Sequence, residues 1–169
     1  MGKITREKLD ITPSFDMLHY MEIADLPRME QEEADRLAVR FGQWAPALRA
    51  YRFDLGRRKG YVLIFLEKSI EDEVEQAWQI SPSDGFSLHN LAIALVMGAA
   101  AQVVPEVADG GCAPLPSPDR DMLRQFKFLD LEWNPAGTVN RQYAVFTPMP
   151  YAGGCGVCML QESCPKRRP

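Results

Sequence analysis

The sequence predicts an α+β domain: a mostly antiparallel sheet built from two hairpins, packed by three or four helices, with a cysteine-rich C-terminal tail closing a metal site. Three observations predict it. Strand-like alternation flanks the turn chemistry of Gly56-Arg57-Arg58-Lys59-Gly60. An Ala-rich run from Leu88 to about Val104 is apolar on nearly every face, as a central helix would be. Three of the four cysteines, Cys155, Cys158 and Cys164, fall within ten residues of one another. A chain of 169 residues with 46% hydrophobic and 25% charged residues can bury a sizeable core as one domain. Residues 1–150 are read as that domain and 151–169 as a metal-binding segment packed on it.

Taken in order, residues 1–14 read as a polar lead-in and Phe15 to Ile23 as a short strand. Asp25 is placed to cap a helix with Pro27, Glu30, Glu32 and Glu33 in its first turn. Ala34, Leu37, Ala38 and Phe41 share its inner face and Gly42 stops it. Tyr51, Phe53 and Leu55 alternate with Arg52 and Asp54, and the continuous run Tyr61 to Leu66 follows, a hairpin whose second strand is buried on both faces. Ser69 with Asp72 resembles a capping box opening an acidic helix through Glu71, Glu73, Glu75 and Trp78. Ser81 to Gly85 reads as a loop, Ser87 as the cap of the central helix, and Pro105 with Gly110-Gly111 as its end. Ser117-Pro118-Asp119 starts a further helix. Phe126 to Trp133 and Val139 to Thr147 then read as a second hairpin turned at Asn134-Pro135-Ala136-Gly137.

The charge balance excludes some partners. Nineteen Lys and Arg against 23 Asp and Glu give a net charge of −4, not that of a broadly basic nucleic-acid binder. The start of the chain, Met1 to Lys8, lacks the apolar core of a signal peptide, so a cytoplasmic location is expected. Leu91 to Ala101 is shorter than the roughly 20 residues a bilayer requires, and no membrane association is expected. In a reducing compartment clustered thiols hold metals or exchange electrons more readily than they form structural disulfides.

The cysteine segment carries the chemistry. In Cys155-Gly156-Val157-Cys158 a C-x2-C turn lets two thiolates approach one centre, and Gly153, Gly154 and Gly156 permit the tight backbone this needs. Cys164 can close the site from the other side, and Cys112, on a Pro-rich loop, is the one cysteine left to be the fourth ligand. The competing readings are three small buried hydrophobes, or a Cys155/Cys158 redox dithiol with Cys164 as spectator. All-cysteine zinc sites usually pair two C-x2-C knuckles, and this chain has one. A tight group of three plus one remote cysteine, ending in Cys164-Pro165, suits a [4Fe–4S] cluster better than zinc.

The C-x2-C-x5-C spacing with a distant upstream cysteine also resembles the iron–sulfur staple of RecB-like exonucleases, including CRISPR-associated ones. The resemblance covers Cys155 to Cys164 plus Cys112 and implies a cluster there. Those nucleases carry an acidic residue before a strand bearing Glu-x-Lys; here Asp54 is followed by the adjacent pair Glu67-Lys68, and the activity is not carried over.

Of the two histidines, His19 and His89, the second is the reserve fourth ligand should Cys112 stand apart. The acidic group Glu67, Glu71, Asp72, Glu73 and Glu75 matches no calcium loop and reads as a solvated helix face. Arg57-Arg58-Lys59 and Lys166-Arg167-Arg168 are local basic spots that could meet an acidic partner if the fold joined them. No nucleotide-binding or serine-hydrolase motif is present. The expected function is that of a cytoplasmic iron–sulfur protein working with a redox partner, in electron transfer or as an accessory or sensor subunit. A structural-zinc interaction module is the alternative, and a nucleic-acid processing protein a further one.

Overall fold

The computed structural model describes residues 3–108, 112–135, 137–151 and 154–165. The chain begins with β1 (Thr5–Lys8), inside the stretch expected to be a polar lead-in. All four of its residues are exposed, so no alternation marks it, and its backbone pairs antiparallel with Asp54 to Tyr51. The next apolar segment is helix α1 (Met17–Ala24) rather than a strand. The Asp16 carboxylate accepts from Leu18 N and His19 N at 2.9 and 3.2 Å, an N-cap that decides between the two readings of a short apolar run. Asp25 ends α1 in the left-handed conformation instead of opening the next helix.

Helix α2 (Gln31–Trp44) buries Ala34, Leu37, Phe41 and Trp44, the stripe expected from the sequence extended by one turn. Gly42 lies inside it and stops nothing, because the helix still has Trp44 to bury. Strands β2 (Leu48–Gly56) and β3 (Lys59–Leu66) form the expected antiparallel hairpin. Arg57 and Arg58, at φ 54° and 59°, make a two-residue turn of the type whose twist matches a hairpin.

Helix α3 (Lys68–Ile80) starts one residue before Ser69, which makes no capping bond; Asp72 pairs instead with Lys68 at 2.6 Å. Helix α4 (Pro82–Val103) absorbs the expected Ser81 to Gly85 loop. Ser81 Oγ accepts from Asp84 N at 3.3 Å and Pro82 fills the first helical position, where a missing N–H costs nothing. Gly85 is required there, since a Cβ would run into the Trp78 ring of α3.

Helix α5 (Arg120–Phe128) begins at the expected place, with the Asp119 carboxylate accepting from Met122 N at 2.8 Å. It continues through Phe126, where a strand was expected, because Met122 and Phe126 one turn apart bury together. The second hairpin shrinks accordingly to β4 (Trp133–Asn134) and β5 (Thr138–Val139), with Ala136 of its turn outside the described residues. Strand β6 (Ala144–Pro148) leaves that hairpin and pairs antiparallel with β3, giving a sheet of order β1-β2-β3-β6. The architecture is thus the expected α+β with a mostly antiparallel sheet. Among the described residues it carries five α-helices, and one hairpin instead of two contributes to the main sheet.

The sheet separates two cores. Val62, Ile64 and Leu66 of β3 point to the helical side and pack with Leu37, Trp44, Leu91 and Leu95. Leu63 and Phe65 point the other way, with Phe53 and Phe146, onto Met122, Phe126, Leu131 and Val139. This two-sided burial is why β3 is a continuous apolar run while β2, whose Arg52 and Asp54 stay exposed, alternates. Helix α4 is long and apolar enough to cross a membrane by length and composition; in the fold its buried side chains sit between α1, α3 and the sheet.

Candidate metal centre

Two irregular segments meet at the edge of the sheet beside β6. The first, 112–119, follows α4 and the short turn Pro105–Val107; the expected Gly110-Gly111 exit lies outside the described residues. Its Pro114 and Pro116 are buried, and the fully buried Thr147 of β6 donates its hydroxyl to Pro114 O at 3.1 Å. That bond satisfies a polar group that would otherwise be stranded in the core, and it fixes the loop to the strand. The second segment is the tail. Met149 N donates to Gly60 O at 3.0 Å at the end of the sheet, and Tyr151 Oη donates to Cys112 O at 3.1 Å.

From Gly154, at φ 90°, the tail folds by local turns: Cys158 N to Cys155 O at 3.1 Å, Gln161 N to Cys158 O at 3.1 Å, and Cys164 N to Leu160 O at 2.9 Å. Gly153 and the basic end Lys166-Arg167-Arg168 lie outside the described residues. Leu115 clasps the tail on both sides of one peptide. Its carbonyl accepts from Met159 N at 2.8 Å, and its N–H donates to Cys158 Sγ at 3.4 Å. The Met159 side chain then rests on Gly137, where a Cβ would lie 3.1 Å from Cε and 3.2 Å from Sδ. Gly137, at φ 99°, is required both by its turn and by this contact.

Burial in the tail is inverted relative to an ordinary loop. Cys155, Cys158 and Cys164 are half-buried, while Val157, Met159 and Leu160 are 40–44% exposed. No side chain in 154–165 is fully buried. The three thiols and Gln161 are thus more buried than the apolar residues of the segment. Cys112 is exposed and lies three residues before Leu115, so chain length alone puts its Cα within about 10 Å of the Leu115 amide that faces Cys158. The structure therefore brings the Cys112 loop and the tail together. Among the described residues no three of His, Cys, Asp and Glu converge into a group that could hold a metal ion.

The other candidates are placed elsewhere. His89 sits on α4 with Nδ1 2.9 Å from Tyr143 Oη, and burial, reinforced by the charges of Glu71 and Glu75, pushes the Tyr143 hydroxyl up to about 12. His19 is on α1 rather than in a strand. The acidic helix is not simply a solvated face. Glu73 accepts from Trp44 Nε1 at 2.8 Å, Glu71 from Gln142 N, and Glu67 pairs with Arg49, so three of its carboxylates tie α3 to α2, to the sheet and to the segment before β6. A cleft of about 300 Å³ lined by Arg40, Trp44, Glu67, Ser69 and Glu73 has its charges already paired. Sequence reasoning missed Leu115, Thr147 and Tyr151, which hold the two segments together; a lone leucine between prolines carries no signal of such a role. The chain matches no family model, no curated protein and no solved structure.

Proposed function

We propose that Cys112, Cys155, Cys158 and Cys164 hold a [4Fe–4S] cluster in a cytoplasmic protein that transfers electrons or serves as an accessory or sensor of a redox system. The observation that carries this reading is the inverted burial of the tail. A segment whose half-buried side chains include its three thiols, and which fully buries none of its own apolar residues, has little hydrophobic means to hold itself in place. Short segments of this kind are organised by a metal or by disulfides, and a reducing compartment favours the metal.

The donor set fits such a centre. Four thiolates would saturate it, leaving no open position for Lewis-acid chemistry, and the Leu115 amide donates toward Cys158 Sγ, the kind of hydrogen bond that stabilises a thiolate and tunes the reduction potential of a cluster it holds. The group would supply one-electron chemistry. Tyr151, through the Cys112 carbonyl, and Leu115 hold the two ligand-bearing segments against each other. Protein purified without air should be brown, with broad visible absorption that bleaches on reduction, and the Cys158→Ser variant should lose that absorption. A colourless wild-type protein carrying one zinc per chain would replace this reading with the structural-zinc one.

A further inference from the structure

The hairpin turn between β2 and β3 is built against its own conformational preference. A two-residue turn with both residues left-handed favours Asn and Gly, and here it is Arg57 and Arg58, at φ 54° and 59°. Neither arginine side chain, nor that of Lys59, makes a hydrogen bond or ion pair with any described residue, and all three residues are exposed. Three cations are thus held at the tip with no side-chain partner among the described residues. Backbone strain of this kind points to a use outside the fold.

The tip is tied to the strand end that leads into the cysteine tail. Gly60 lies so close to Phe53 O that no side chain fits there, and its carbonyl accepts from Met149 N at 3.0 Å, two residues before the end of the 137–151 segment. Asp54 on β2 accepts from Gly56 N at 2.7 Å and Asp119 caps α5, so both carboxylates are engaged with backbone amides. By contrast, residues 16–47 and 67–84 carry thirteen carboxylates against four cations, so the chain is strongly polarised between its helices and its hairpin.

We propose that Arg57, Arg58 and Lys59 form a docking finger for the acidic surface of a partner protein, which it would seat next to the cysteine tail. Charge complementarity selects an anionic partner. A protein surface fits better than single-stranded nucleic acid, because Tyr61, the aromatic residue next to the tip, is half-buried with its ring packed on Phe146. Val157, Met159 and Leu160, exposed on the tail that follows Met149 in the chain, supply the apolar contact a protein interface uses and a phosphate backbone does not. The inference does not depend on which metal the thiols hold.

Fluorescence anisotropy of the full chain with a labelled oligoglutamate, and with an oligothymidylate of equal charge, at low and physiological salt tests it. The oligoglutamate should bind, weaken as salt rises, and lose at least tenfold in affinity when Arg57, Arg58 and Lys59 are changed to Gln. The pair Arg57→Asn and Arg58→Gly should also weaken binding while raising the melting temperature by roughly 2–6 °C, since it gives the turn its preferred residues. Unchanged affinity in these variants, no binding of oligoglutamate at low salt, or oligothymidylate binding tenfold tighter than oligoglutamate would each overturn the proposal, the last in favour of nucleic acid.

Discussion

Removing a thiol from the tail should release the whole segment. Ordering the twelve residues 154–165 costs roughly 12–18 kcal/mol in backbone entropy, at about 1–1.5 each. Their local turns and the Leu115 clasp contribute six hydrogen bonds, worth about 6 kcal/mol at about 1 each. The partial burial of Val157, Met159 and Leu160 contributes a few kcal/mol more, and metal held by thiolates would supply about 10–16. Cys158→Ser removes both a ligand and the acceptor of the Leu115 amide. Amide hydrogen exchange followed by mass spectrometry should then show 154–165 protected in the wild type as purified without air, and exchanging at the rate of an open chain in the variant. Exchange in β3 and α4, whose core makes no use of the tail, should stay slow in both. Equal protection of the tail in the two proteins would refute the reasoning, because the segment would then hold itself together without the metal.

Further expectations concern the body of the fold and the clasp. Phe126→Ala, which empties a fully buried site against Phe53, Trp133 and Phe146, should lower stability by about 3–5 kcal/mol in denaturant titrations. Gly137→Ala should destabilise by about 1–3 kcal/mol and increase proteolysis of the tail, since the new Cβ meets Met159 at a φ that alanine rarely adopts. Tyr143 and Tyr20 both have hydroxyls raised above their ordinary value, chiefly by burial. They stay protonated in the fold at pH values where the unfolded chain ionises, so stability is full below about pH 10 and falls as pH climbs toward 12. Tyr143→Phe should flatten that alkaline decline, as followed by thermal melts between pH 8 and 12.

Where the sequence was readable, a pattern reached the surface of the chain unambiguously. The β2–β3 hairpin, the stripe Ala34-Leu37-Phe41, the central helix and the Asp119 cap each announce themselves by periodicity or by capping chemistry. Strand β1 did not, because an edge strand exposed at every residue has no alternation to show. Phe15 to Ile23 and Phe126 to Phe128 are short apolar runs in which helix and strand predict the same composition; Asp16 and the Met122–Phe126 spacing were the signals that separate them. Ser81-Pro82 resembled a loop although Ser at the cap and Pro at the first turn also open helices. The return of the tail to the Cys112 loop was legible from the cysteines, whereas the partner of β6 was not, since strand pairing across most of the chain leaves no local mark.

The account stands or falls on what the four thiols hold. Iron, acid-labile sulfide and zinc should be quantified per chain in protein purified without air, with Cys112→Ser measured alongside. The reading predicts about four iron and four sulfide per wild-type chain and a loss in Cys112→Ser as large as in Cys158→Ser. A wild-type protein free of iron and sulfide would contradict it.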